Sequence, residues 1–296
     1  MNKQLPEKDL FGNEIKKDVL LRDKFIEPPF SVLDTKSGSW QKRKRLWLQR
    51  GIRSESGRED TVTFRGALSD NDFLGKRMQS AGDVKSVFDP ALCEVLYHWF
   101  CPEGGTILDP FAGGSVRGIV AHYLDYYYTG IELRKEQIES NREQALDILP
   151  VTNQPNWYVG DSNKILDGFT NEFDFVFSCP PYFNLEKYSE LEGELSNMNY
   201  ENFLIAYRSV IRKSCKLLKY GAFACFVVAE IRNKNGNYIG FVPDTVNAFL
   251  ESGMKYYNEC ILLNPIGTAM LRTRQMDISK KLVKVHQNIL IFRKDA

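Results

Sequence analysis

Residues 174–189 read DFVFSCPPYFNLEKYS, and four of them, Cys179, Pro180, Pro181 and Tyr182, carry the most specific chemistry in the chain. The residues before Cys179 are mostly apolar or aromatic, as a short buried strand requires. Two successive prolines then end any ladder, because neither has an N–H to donate and each fixes its own φ. The rigid carbonyls left there meet no competing donor and can accept hydrogen bonds from an exocyclic –NH2 group. Tyr182 can stack on the ring that bears this group, a contact worth about 1–3 kcal/mol per base. The same four residues also suit a proline-capped strand end beneath a packed tyrosine, so the rest of the chain must decide between the two.

Three further places hold residues of matching type. Residues 106–115 read TILDPFAGGS, a strand ending in Asp109 and followed by Gly113 and Gly114. Glycines let backbone approach a ligand closely, and the helix start beyond them offers N–H groups. Asp109 at the front of this turn suits a cationic ligand part rather than a pyrophosphate. Glu132 ends the next predicted strand, where a carboxylate binds the two hydroxyls of a ribose or simply caps the following helix. Gly160-Asp161-Ser162 ends a third strand, and Asp161 is a natural N-cap for a helix over 163–166. Three histidines and six cysteines show no HxxxH, HxE or CxxC spacing. No metal centre is expected, and the cysteines read as reduced, mostly buried thiols of a cytoplasmic protein.

Taken together, CPPY after a hydrophobic strand resembles the [D/N/S]-P-P-[Y/F/W] motif of DNA methyltransferases that act on exocyclic amino groups. TILDPFAGGS resembles the strand-then-DPFxGxG loop of the same family, in the expected order and about 65 residues upstream. The resemblance spans roughly residues 85–296 and extends more weakly, towards phage-type DNA methylases, into the N-terminal segment. It implies S-adenosylmethionine as cofactor and DNA as partner. It also implies an α/β class I methyltransferase-like, Rossmann-like fold: a seven-stranded, mostly parallel sheet with an antiparallel last strand and a small N-terminal extension. By the resemblance Cys179, Pro180, Pro181 and Tyr182 are catalytic. Phe88, Asp109, Phe111, Gly113, Gly114, Glu132, Asp161 and Ser162 hold the cofactor, with Asp161 receiving its adenine amino group.

The implied reaction is direct displacement at a sulfonium methyl by adenine N6 or cytosine N4, after the base has left the duplex. Two departures from the family bear on it. Gly113-Gly114-Ser115 stands where Gly-Ser-Gly is usual, and Cys179 stands where Asp, Asn or Ser is usual, a thiol being the weaker acceptor. One rival is cytosine C5 methylation with Cys179 as nucleophile; there the cysteine normally follows a proline, whereas this one precedes two. Another is amino-group methylation of RNA or of a protein glutamine. A third is a DNA-binding module on a decayed methyltransferase fold, which Asp109, Glu132 and Asp161 together oppose.

These residues need elements to hold them. Hydrophobic patterning predicts strands over 106–109, 127–131, 157–159, 174–178, 222–229, 255–263 and 283–294. Helices are predicted over 90–100, 116–124, 134–148, 243–252 and 200–219; the last turns Phe203, Ala206, Tyr207, Val210 and Leu217 inward and stops at Gly221. Asp89 and Pro90 suit an N-cap and first turn.

The net charge of +1 gives no global basic field, so nucleic-acid contacts must come from local patches. One patch is Lys42, Arg43, Lys44 and Arg45 between Trp40 and Trp47, on a helix where Arg43, Leu46 and Trp47 share one face and the other charges splay outward. The other is Arg272, Arg274 and Lys280 in the segment 264–281, expected to leave the sheet at the same edge as CPPY. Either set can also be an ordinary solvated surface. The Glu-rich segment 183–199 reads as a lid. Residues 1–24 read as a flexible arm, 25–85 as a basic and aromatic segment contacting DNA, and 86–296 as the methyltransferase domain. No apolar run approaches the ~20 residues of a membrane span.

Overall fold

The computed structural model describes residues 21–53, 88–181, 195 and 198–295. Helix α1 (Leu21–Phe25) leads through an extended stretch to strand β1 (Val32–Asp34) and helix α2 (Gly38–Gln49). Helices and strands then alternate as α3 (Pro90–Phe100), β2 (Thr106–Asp109), α4 (Val116–Tyr123), β3 (Tyr127–Glu132) and α5 (Lys135–Ile148). Next come β4 (Asn156–Val159), α6 (Ser162–Ile165), β5 (Phe173–Ser178), α7 (Tyr200–Lys216) and β6 (Leu218–Val228). Helix α8 (Phe241–Glu251), β7 (Lys255–Leu263), α9 (Gln275–Ser279) and β8 (His286–Arg293) complete the described chain.

All the strands share one sheet in the order β1-β7-β8-β6-β5-β2-β3-β4. β8 runs antiparallel to both of its neighbours, and every other pairing is parallel. From β4 to β7 this is the seven-stranded class I methyltransferase order with its antiparallel last strand. The eighth strand, β1, is a correction to the expected count. The lead-in to α2 pairs with β7 in register Val32↔Ile261, and the Ile261 N–H donates to the Ser31 carbonyl at 2.8 Å. An edge strand otherwise leaves a row of N–H and C=O groups unpaired, and β1 covers that of β7.

Helices cover both faces. On one, Trp40 and Trp47 of α2, Leu92 and Leu96 of α3, Ile119 and Val120 of α4 and Ile138 of α5 are buried against Phe175 and Phe177 of β5. On the other, Phe203 and Tyr207 of α7 and Phe241 and Phe249 of α8 pack with Val176, Phe226 and Phe292. β5 thus sends alternate residues to opposite cores, as the period of a strand demands.

Helix α7 ends at Lys216, before the expected position 219, and Gly221 lies inside β6 with φ +78° instead of stopping the helix. The C-terminal carbonyls of a helix need donors. Lys294 Nζ supplies them, donating to the carbonyls of Cys215 (2.9 Å), Lys216 (3.2 Å) and Leu218 (2.5 Å). A cation from the chain's far end therefore closes this helix, which no local signal could indicate.

Candidate active site

The strand order places the ends of β2 and β5 side by side, with Ile107 opposite Phe175 and Leu108 opposite Val176. Asp109 and Ser178, the last residues of these strands, meet: Ser178 Oγ donates to Asp109 Oδ1 at 2.6 Å. The glycine turn beyond Asp109 and the Cys179-Pro180-Pro181 segment beyond Ser178 therefore emerge together at the carboxyl edge. In an open α/β sheet that is where ligands bind.

Asp109 is fully buried. Its Oδ2 accepts from Arg117 Nε at 2.5 Å and from the Tyr128 hydroxyl at 2.7 Å, while Oδ1 also accepts from the Phe111 N–H at 3.2 Å. The cation that Asp109 meets within the fold is thus Arg117 of α4, where a cationic part of a ligand was expected. Arg117 Nη2 donates to the carbonyls of Phe111 (2.7 Å) and Ala112 (2.8 Å), and its guanidinium lies 4.5 Å from the centre of the Phe88 ring. Burial works against the charged guanidinium, but the Asp109 carboxylate outweighs it and holds the pKa above that of free arginine. Arg117 therefore fastens the turn from beneath. The one hint in the sequence was an arginine in the otherwise apolar start of α4, VRGIVA.

Glu132 is half-buried at the end of β3. Its Oε2 accepts the Gly113 N–H at 3.0 Å and its Oε1 the Arg134 N–H at 2.9 Å. Each carboxylate oxygen has two lone pairs, so a group oriented in this way can accept from further donors, such as those of a diol. Gly113 adopts φ +52°, and Asn141 Nδ2 donates to its carbonyl at 2.8 Å. Glycine takes this left-handed conformation without steric cost.

At the end of β4, Asp161 Oδ1 accepts the Asn163 N–H at 2.9 Å, so Asp161 is the N-cap of α6. Capping uses one oxygen of a half-exposed carboxylate. Ser162 Oγ donates to the Pro110 carbonyl at 2.5 Å, tying this loop to the glycine turn. Phe111 leans on Tyr207 and Phe226 of the second core, and Phe88 meets Phe177 edge-on at 5.7 Å. All eight residues named as cofactor ligands thus lie at or next to one edge of the sheet. Asp109 and Ser162 are tied up with other residues of that edge, whereas Glu132 and Asp161 bring half-buried carboxylates to it.

Cys179 and Pro181 are half-buried and Pro180 is buried. Cys179 is a thiol outside any disulfide, and it packs against the first core. Tyr182 lies outside the described residues, as does the expected lid apart from Leu195, Met198 and Asn199.

The two basic patches differ. In α2 the buried face is Trp40 and Trp47, two helical turns apart, and Leu46 is exposed. Both indoles donate to acids of the α3 start: Trp40 Nε1 to Asp89 Oδ2 at 3.1 Å and Trp47 Nε1 to Glu94 Oε2 at 2.8 Å. Lys44 pairs with Asp89 at 3.1 Å and Arg43 with Glu94 at 2.6 Å. Arg43 and Lys44 therefore clasp α2 to the domain, where phosphate contacts alone were expected. Among the described residues Lys42 and Arg45 make no such clasp, and both are exposed. Asp89 also caps α3 as expected, accepting the Ala91 N–H at 3.0 Å. Arg272, Arg274 and Lys280 are all exposed.

Among the described residues no helix is long and apolar enough to cross a membrane, and no group of three or more His, Cys, Asp or Glu gathers as metal ligands do.

No protein-family model matches the sequence, and neither does any curated protein. Solved structures that the fold resembles include TrmN from Thermus thermophilus, at 16% identity over 75% of this chain and 53% of that one, with a TM-score of 0.48. The chain thus spans about half the length of TrmN. A candidate RNA methyltransferase from Pyrococcus horikoshii is 15% identical over 86% of this chain and all of its own, with a TM-score of 0.49. Magnesium protoporphyrin IX methyltransferase from Synechocystis, solved with bound SAM, is 10% identical over 86% of this chain and 94% of its own, with a TM-score of 0.42. These are distant likenesses of fold, and the strand order described above carries the fold assignment without them.

Proposed function

We propose that the chain transfers a methyl group from S-adenosylmethionine to the exocyclic amino group of a DNA base, adenine N6 or cytosine N4. The observation that carries this reading is the Ser178–Asp109 hydrogen bond, 2.6 Å long, which locks the strand ahead of Cys179-Pro180-Pro181 to the strand ahead of the glycine turn. A donor-free proline carbonyl and a ligand-accepting turn then share one corner of the sheet edge.

The residues present fit the cofactor. Glu132, oriented by two backbone N–H groups, accepts the ribose hydroxyls, and the second oxygen of Asp161 accepts the adenine amino group. Gly113 and Gly114 admit the amino-acid end, and Phe88 and Phe111 flank it. S-adenosylmethionine held there would supply an electrophilic methyl group. The chain's own part is positioning and electrostatics. The Pro180 carbonyl accepts a hydrogen bond from the substrate amino group, whose lone pair is otherwise delocalised into the ring, and so localises that pair on nitrogen. Cys179 adds a weaker acceptor, which leaves Pro180 the main one. Tyr182 stacks on the extruded base, and the Glu-rich segment after it closes the site to water.

Residues 86–296 form the catalytic domain in this reading. Lys42 and Arg45 within 25–85, together with Arg272, Arg274 and Lys280, hold phosphates; of the expected arm 1–24, residues 1–20 lie outside the described ones and the rest belong to α1.

The test is transfer of tritiated methyl from S-adenosylmethionine to unmethylated duplex DNA, followed by nucleoside mass spectrometry. N6-methyldeoxyadenosine or N4-methyldeoxycytidine is expected. 5-Methyldeoxycytidine would make Cys179 a nucleophile and overturn the mechanism. Cofactor binding with no DNA product would move the substrate to RNA or protein.

A further inference from the structure

The segment between β7 and β8 leaves the sheet at the edge that carries Cys179-Pro180, because β7 shares the direction of β5. Its neck is closed by the Asn264 N–H donating to the Val285 carbonyl at 2.9 Å. Lys281 rests on Gly236 in the turn after β6, bracing the neck from the side. Beyond the neck come a 3-10 turn, Gly267–Arg272, and α9, which buries no residue at all. Ile278 on α9 is 85% exposed, Leu282 73% and Met270 69%. Large apolar side chains grouped in this way signal a surface that becomes covered.

Arg272, Arg274 and Lys280 stand among them, exposed and paired with no carboxylate among the described residues. A second copy of this rim would meet it with like charge, which disfavours self-association through the arm. The complementary partner is a polyanion with apolar surface between its charges. Duplex nucleic acid is such a partner once a base step opens, when apolar side chains can enter the stack.

We propose that this arm is a wedge: Ile278 and Leu282 enter the base stack of duplex DNA while Arg272, Arg274 and Lys280 hold the flanking phosphates. The proposal rests on the nucleic-acid reading above and deepens it. It names the element that opens the duplex beside the site and assigns the apolar residues, not the basic ones, to that opening.

Side chains inserted into a stack unwind the helix, and unwinding can be counted without knowledge of the target sequence. A closed circular plasmid is relaxed by a topoisomerase in the presence of the full chain, stripped of protein and resolved into topoisomers, with binding measured separately by filter retention. The wild-type chain is expected to leave a linking deficit that grows with the amount bound. I278S/L282S should bind within about threefold of wild type yet leave no deficit, since phosphate contacts dominate affinity. R272A/R274A should bind about tenfold more weakly, with a log–log salt slope shallower by about 0.9 for each phosphate no longer held.

Binding by the wild type with no deficit, an unchanged deficit in I278S/L282S, or no binding to duplex DNA would each overturn the wedge. So would a wild-type dimer that I278S/L282S dissolves. Failure of methyl transfer leaves this readout intact, because neither cofactor nor target base enters it.

Discussion

Replacing Arg117 by methionine keeps most of the side chain's volume and removes its charge. The pair it forms with Asp109 is buried at both ends, with side-chain exposures of 6% and 0%. Breaking such a pair from one side strands a buried carboxylate, which costs about 3–5 kcal/mol. The Ala112 carbonyl, buried and now without the Nη2 donor, adds about 1–3 kcal/mol. Such terms add imperfectly, so an expected loss of about 4–6 kcal/mol is a large part of the 5–15 kcal/mol typical of a whole domain. Asp109→Asn in the same chain removes the stranded charge and should restore about 2–3 kcal/mol.

Urea unfolding followed by far-ultraviolet circular dichroism on wild type, D109N, R117M and the double variant gives the coupling directly. Arg117→Lys, which keeps the charge but cannot reach Asp109 and both carbonyls together, should fall between wild type and R117M. An R117M chain within about 1 kcal/mol of wild type, or a double variant no more stable than R117M, would refute the view that this pair secures the glycine turn.

Three further outcomes are expected. Glu132→Gln keeps the shape of the side chain but loses its charge and one acceptor, so calorimetry should show S-adenosylmethionine binding about 10–100-fold more weakly, equivalent to about 1.5–3 kcal/mol for hydrogen bonds to a charged group. Gly118→Ala should lower the unfolding temperature despite the roughly 1 kcal/mol that alanine adds within a helix. Its Cβ would lie 2.7 Å from Trp157 Cζ2 and 3.1 Å from Pro155 Cβ, and overpacking of this kind costs about 1–3 kcal/mol. His122 is pushed below its ordinary pKa of 6.5 by burial. Its Nε2 accepts the Tyr128 N–H at 3.0 Å, so the ring is neutral, with its proton on Nδ1 towards Asn153 Oδ1 at 2.7 Å. The unfolded chain takes up the proton first as pH falls. This stabilisation is therefore complete above pH 6.5 and is lost progressively below it, towards the depressed folded pKa. Urea midpoints between about pH 7.5 and about pH 5 should drop more steeply in wild type than in His122→Gln, and parallel curves would contradict the assignment.

The local signals in the sequence were strong where chemistry and periodicity coincide. Strands 106–109, 127–132 and 255–263 appear as patterned, because alternating or continuous apolar residues bounded by Gly, Pro and Asp leave little choice of conformation. Asp89 caps α3 and Asp161 caps α6 because a short acceptor one residue before a helix meets its orphan N–H groups wherever the helix packs. Cys179-Pro180-Pro181 at a strand end and the glycine turn after Asp109 likewise follow from covalent constraints on the backbone.

What escaped depended on partners far along the chain. Arg43 and Lys44 looked like phosphate ligands until Glu94 and Asp89, 51 and 45 residues later, proved to hold them. Asp109 looked like a ligand for a cation until Arg117, Tyr128 and Ser178 closed around it. Gly221 looked like a helix stop until Lys294 capped α7 from the opposite end of the chain. A polar side chain's type states what it can bond to, but only packing states which candidate arrives first and excludes water.

By itself, then, the sequence determined the alternating α/β pattern, the two motifs at strand ends and the carboxylates that end β3 and follow β4, all set by residues within a few positions of one another. Only the tertiary structure decided which charges are free for a partner and which are consumed internally, and that the N-terminal segment adds a strand beside β7. Those outcomes depend on hydrogen bonds and ion pairs between distant residues, whose formation requires the sheet to exist first.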